Sequence, residues 1–171
     1  MSEVGSGAVG IAERRIGATD WGRYERLSGS AAGLGEVLLS LLDADREGAG
    51  AARDHLENEV VPQANLYGAA EPVITVSAAS LADPRPQWVR IVVLDLMFVI
   101  LSGAPTLEEV ERGNGALLEH CVARVRESAW LIAREALTDV ACYDAALDVL
   151  DIADADKKVS EFIRLAGQGK P

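Results

Sequence analysis

Leu34, Val37, Leu38, Leu41 and Leu42 recur at i, i+3, i+4, i+7 and i+8, the spacing that gathers apolar side chains on one face of an α-helix. The pattern predicts a helix over residues 31–42, with Ser30, just after Gly29, placed to cap it. Asp43-Ala44-Asp45 interrupts the pattern. Asp45 is placed to cap a second helix that carries Ala49, Ala52, Leu56 and Val60 inward and stops at Pro62. A third helical segment, 67–81, contains Pro72, whose ring collides with the carbonyl one turn back and demands a kink or a fresh start. Residues 87–102 are apolar nearly all round, with Arg90 and Asp95 as the charges. A helix of that kind is flanked by others on both sides, so it is expected at the centre.

Further on, Thr106 and Glu109 have capping-box spacing and Gly113-Asn114-Gly115 weakens or breaks the helix that follows. One long helix is predicted over 116–137, with Leu117, Cys121, Val125, Ile132 and Ala136 among its core positions. Another covers 140–153, with Tyr143, Ala146, Leu147 and Leu150 inward. A last one is capped by Asp154 or Asp156 and turns Val159, Phe162, Ile163 and Ala166 inward. Residues 11–27 predict one or two short helical turns with Trp21 and Tyr24 on one side. No stretch alternates as a strand does. The expected fold is all-α, a short α-solenoid of stacked antiparallel helix pairs in one domain, 11–166, between a flexible start (1–10) and a frayed tail (167–171).

Residues 81–94 carry the most specific pattern. Leu81 closes a helix, Asp83 and Pro84 mark a turn, and Val89-Arg90 lie on the next helix. Weaker copies begin near Leu42 and Leu137, 39 residues before and 56 residues after Leu81, the longer interval accommodating an insertion at 103–115. The set Leu81, Asp83, Val89 and Arg90 resembles the HEAT repeat. That resemblance implies that Asp83 caps the second helix of its pair and that Arg90 reaches an aspartate of a neighbouring repeat. Residues 21–101 are also similar to a group of small bacterial HEAT-like proteins, through Trp21, Gly29-Ser30-Ala31, Gln63, Tyr67 and Ala69-Ala70. Members carry His-Gln-Gly where this chain has Pro62-Gln63-Ala64. Some act as immunity or interaction proteins, so the resemblance implies that kind of role.

Composition supports helices: Ala and Leu dominate and aromatics are 5 %. The net charge of −11 disfavours nucleic acid and favours a basic protein partner. The longest apolar run, 91–101, is too short to span a bilayer and contains Asp95. With no secretory h-region at the start, the chain reads as cytoplasmic, without a membrane partner. Cys121 and Cys142 lack metal-ligand or redox spacing, and read as small buried hydrophobes. His55 reads as a partly buried polar residue and His120 as part of a solvated face; neither sits in a two-histidine motif.

Two surface features remain. Asp144, Asp148 and Asp151 share one helix face as an acidic ridge, which is either a solvated face or a contact for a cationic partner, and less suited to a metal. Arg126, Trp130 and Arg134 are spaced by four, away from the core stripe. They form an interaction hot spot if exposed, unless a neighbouring helix or the N-terminal segment covers them. No phosphate loop, nucleophile elbow or dinucleotide fingerprint is present. The expected function is a non-catalytic protein-binding module, an immunity or adaptor protein that neutralises a cationic partner without a cofactor. The alternative is a helical enzyme or small-molecule-binding protein with a site near Trp88, Arg90 and Asp95.

Overall fold

The computed structural model describes residues 9–154 and 157–167; residues 1–8 of the expected flexible start at 1–10, the Asp156 cap and residues 168–171 of the expected frayed tail lie outside them. Ten α-helices run through the described residues: α1 (Ile11–Ala18), α2 (Leu34–Asp43), α3 (Arg46–Val60), α4 (Ala70–Ser80), α5 (Gln87–Leu101), α6 (Leu107–Glu111), α7 (Leu117–Glu127), α8 (Ala129–Thr138), α9 (Tyr143–Ala153) and α10 (Lys158–Gly167). The chain is an all-helical globular domain. Two ladders of two residues each are the extended pieces: Glu25–Arg26 antiparallel to Gly29–Ser30, and Asn65–Leu66 parallel to Ala104–Pro105.

The apolar helix α5 is packed by α3, α4 and α9, and Val93, Leu94, Leu96, Met97 and Ile100 are buried to 1 % exposure or less. The second inner helix is α4, held between α1, α5 and α7; it needs little amphipathicity because it is covered on several sides. Asp45 caps α3 as its position implies, accepting the Gly48 N–H at 2.8 Å.

Three local expectations give way to tertiary demands, and the fresh start expected at Pro72 is made. α2 starts at Leu34, after Gly33 at φ 94, a left-handed conformation that suits glycine. Ser30 does not cap it, because its backbone pairs with Glu25 and its hydroxyl accepts from Ala32 N–H at 3.3 Å. α4 makes a fresh start, with Pro72 in its first turn, so Tyr67 stays outside the helix and donates its N–H to the Val60 carbonyl. The capping box is half made. The Thr106 hydroxyl accepts from Glu109 N–H at 3.1 Å, but the Thr106 N–H already donates to the Leu66 carbonyl. The buried Glu109 carboxylate therefore turns to Gly68 N–H at 3.0 Å and Asn114 Nδ2 at 2.8 Å. The long helix 116–137 breaks at Ser128, φ −108 and ψ 9. The break lets α7 lie on α4 while α8 lies on α9 and α10.

The segment 62–64 that departs from the HEAT-like group carries strain. Gln63 and Ala64 sit at φ 51 and 63, where a non-glycine residue is disfavoured, and the Asn65 side-chain amide donates to the carbonyls of Pro62 and Gln63 at 3.3 Å to hold the turn.

Asp83 is used differently from the resemblance's implication. α5 is preceded by Pro86, with no side-chain cap. The Asp83 carboxylate instead accepts the N–H groups of Ile11 at 3.1 Å and Ala12 at 3.2 Å, capping α1 from 71 and 72 residues away. Arg85, paired with both Glu13 and Asp83, ties the same corner. Burial alone would raise the Asp83 carboxyl, but those two N–H groups and the Arg85 guanidinium outweigh it and hold it below the ordinary range. A depressed carboxyl contributes stability above its unfolded pKa of about 3.9 and loses it as pH falls through the lower folded value. Acidification through that window is expected to strip hydrogen-exchange protection from the α1 amides. In Asp83→Asn that acid-dependent component should be missing; an identical pH profile in both proteins would refute the cap.

Candidate interaction surface

The C-terminal third exposes several large apolar side chains, Trp130, Val140, Ile152, Phe162 and Leu165. Trp130 stands at the second position of α8, just past the Ser128 break, and is 67 % exposed. Its ring meets Phe162 edge-on, with centroids 6.1 Å apart and planes at 70°. Phe162 is 49 % exposed and Leu165, one turn on, is 71 % exposed. This corrects the inward assignment of Phe162 and Ala166, which are both exposed; Ile163 is buried as its spacing implies, together with Ser160. No neighbouring helix covers Trp130 beyond the Phe162 edge contact seen among the described residues.

The two arginines flanking Trp130 have structural partners. Arg126 Nε donates to the Ala153 carbonyl at the end of α9, at 2.5 Å. Arg134 Nη2 donates to the Leu81 carbonyl at the end of α4 and to Glu135 at 2.7 Å. Both satisfy carbonyls that helix ends leave without intrahelical donors, and place positive charge at the negative end of a helix dipole. The indole is the exposed centre, and the guanidinia brace the helices around it.

Of the acidic ridge, Asp144 and Asp148 are exposed on α9. Asp151 is turned toward α10 and pairs with Arg164 at 2.5 Å. The ridge therefore offers two outward carboxylates, continued along the helix by the exposed Ile152. An apolar groove of about 420 Å³ runs past Ala136, Leu137, Val140 and Tyr143 and reaches Arg164, the partner of Asp151, and Val140 at its edge is 91 % exposed.

Trp88, Arg90 and Asp95 go to three different neighbours. Trp88 Nε1 donates to the Ala44 carbonyl at 3.1 Å. Arg90 pairs with Glu135 at 2.5 Å and Asp139 at 2.6 Å, and the half-exposed Asp95 pairs with Arg53 at 2.8 Å.

The chain matches no protein-family model, no curated protein and no solved structure.

The remaining titratable candidates are two thiols and two imidazoles. Burial pushes the Cys121 thiol up to about 12 and the Cys142 thiol up to about 11, so neither carries much thiolate at neutral pH. His55 is exposed, not partly buried, because it lies off the α3 stripe. His120 is also exposed, with Nδ1 3.8 Å from Glu71. Among the described residues no group of three His, Cys, Asp or Glu side chains converges as a metal site, and no helix is long and apolar enough to cross a membrane.

Proposed function

We propose that the chain is a non-catalytic protein-binding module, a short HEAT-like stack that caps a basic protein partner in the manner of an adaptor or immunity protein. The observation that carries this reading is the exposed Trp130 indole braced on Phe162, with Leu165 beside it on α10. Large aromatic side chains left in water on an ordered scaffold are the typical anchors of protein interfaces. The net charge of −11 and the outward Asp144 and Asp148 favour a cationic partner and would speed its approach. The HEAT-like part of the proposal is supported by Arg90, whose guanidinium joins α5 to Asp139 in the turn between α8 and α9.

The test is comparative capture by the intact chain. A basic protein retained by the wild type and then purified should bind Trp130→Ala about 30-fold more weakly. Asp144→Lys with Asp148→Lys should slow association and flatten its salt dependence. A partner held equally by the wild type and Trp130→Ala would remove this surface from the proposal.

A further inference from the structure

We infer that the open cavity between α1, the turn 19–24, α4 and α7 binds a compact oxyanion, the charged head of a phosphate- or carboxylate-bearing small molecule. It measures about 350 Å³, within the size of small-molecule sites. Arg15, Arg23 and Arg124 face it from three separate elements, with Thr19, Tyr24 and Thr75 between them.

Charge in this chain runs the other way, with 27 Asp and Glu against 16 Lys and Arg. Several guanidinia elsewhere meet more than one carboxylate: Arg53 meets Asp54, Glu57 and Asp95, and Arg85 meets Glu13, Asp43 and Asp83. At the cavity, Arg124 pairs with Glu71 at 3.3 Å and Glu127 at 3.1 Å. Among the described residues, Arg15 and Arg23 enter no ion pair, although each lines the cavity. The lining carboxylates are Asp20 and Glu71, and Glu71 is engaged by Arg124. Two unpaired guanidinium forks and a third tethered one suit an oxyanion, which they can grip through parallel N–H bonds.

The walls are set before any ligand arrives. Trp21 is buried and its Nε1 donates to the Ile16 carbonyl at 3.1 Å. The indole has room because residue 35 is glycine; a Cβ there would stand 2.7 Å from Nε1. The Tyr24 carbonyl accepts the Ala31 N–H at 2.9 Å, so the turn bearing Arg23 is fixed at both ends. The Thr19 hydroxyl donates to the Arg15 carbonyl at 2.8 Å and the Thr75 hydroxyl to the Glu71 carbonyl at 2.8 Å. These backbone oxygens are already used, which disfavours a metal cation as the occupant. With the backbone walls fixed, the entropy cost of binding falls on the Arg15 and Arg23 side chains.

Isothermal titration of the intact chain with inorganic pyrophosphate, and separately with citrate, at constant ionic strength set with sodium chloride, tests the inference. Saturable one-to-one binding of at least one probe is expected, and the tighter probe identifies the phosphate or the carboxylate class. Arg15→Gln with Arg23→Gln, both at exposed positions, should weaken it about tenfold or more. Arg46→Gln, an exposed cation outside the cavity, should leave it unchanged. In the wild type, amide chemical shifts should move on α1, the turn 19–24 and the start of α4. Absence of saturable binding for both probes, undiminished binding by the double variant, or shifts confined to another region would each overturn the inference.

Discussion

Replacing Arg90 by alanine is expected to cost about 3 kcal/mol of unfolding free energy, measured as a lowered urea midpoint at unchanged slope. The reason lies in Glu135, which is 1 % exposed and receives Arg90 Nη1 at 2.5 Å. Taking the guanidinium away leaves a carboxylate in the interior with less compensation, and that penalty exceeds the ordinary value of an ion pair. Arg134 remains 2.7 Å from Glu135, which holds the loss to the lower part of the range. Asp139, the other partner, matters less. Its carboxyl is held down first by the Gln87 amide and then by the Ala141 N–H; burial opposes them, and Arg90 comes after. Breaking the half-exposed Arg53–Asp95 pair with Asp95→Ala should cost about 1 kcal/mol or less. Adding Glu135→Leu to the Arg90 variant should recover much of the loss, since the stranded charge is gone. A loss within about 0.5 kcal/mol for Arg90→Ala alone would contradict the buried-carboxylate account.

Much of the fold could be read from apolar spacing because most helices here are amphipathic and packed. The α2 and α3 stripes, the Asp45 cap and the central place of α5 follow directly from residue order. The break at Ser128 left no trace, because Ala129, Ile132 and Ala136 continue the phase of Cys121 and Val125. It arises from α7 and α8 needing different neighbours, which is tertiary information. Phe162 was misassigned because it adjoins Ile163, and one residue of rotation separates the buried face from the exposed one; its i+3 partner Leu165 was the available clue. Trp130 was legible as an outward residue. The reach of Arg126 to Ala153 and of Arg134 to Leu81 was not, since long flexible side chains find carbonyls from helices distant in sequence. The same holds for Asp83 on α1 and for the arginine-lined cavity, whose residues are drawn from 15 to 124.

Leu94→Ala is expected to be the most damaging apolar truncation proposed here, at about 3–5 kcal/mol, because the side chain is fully buried on the helix that α3, α4 and α9 surround. Little room exists for collapse into the vacated space, as neighbouring α5 residues such as Met97 and Val93 are themselves buried. Phe98, on the same helix at 36 % exposure, should cost less than about 2 kcal/mol on truncation, since much of its ring already faces water. The contrast tests whether the apolar surface of α5 is used up within one chain. If it is, the wild-type unfolding midpoint will not change over about a hundredfold range of protein concentration. If a second copy covered α5, the midpoint would rise with concentration and Phe98→Ala would abolish that rise. Complete burial of Leu94, Leu96 and Ile100 within a single chain favours the first outcome, since the apolar side chains that a second copy would have to cover are already out of water.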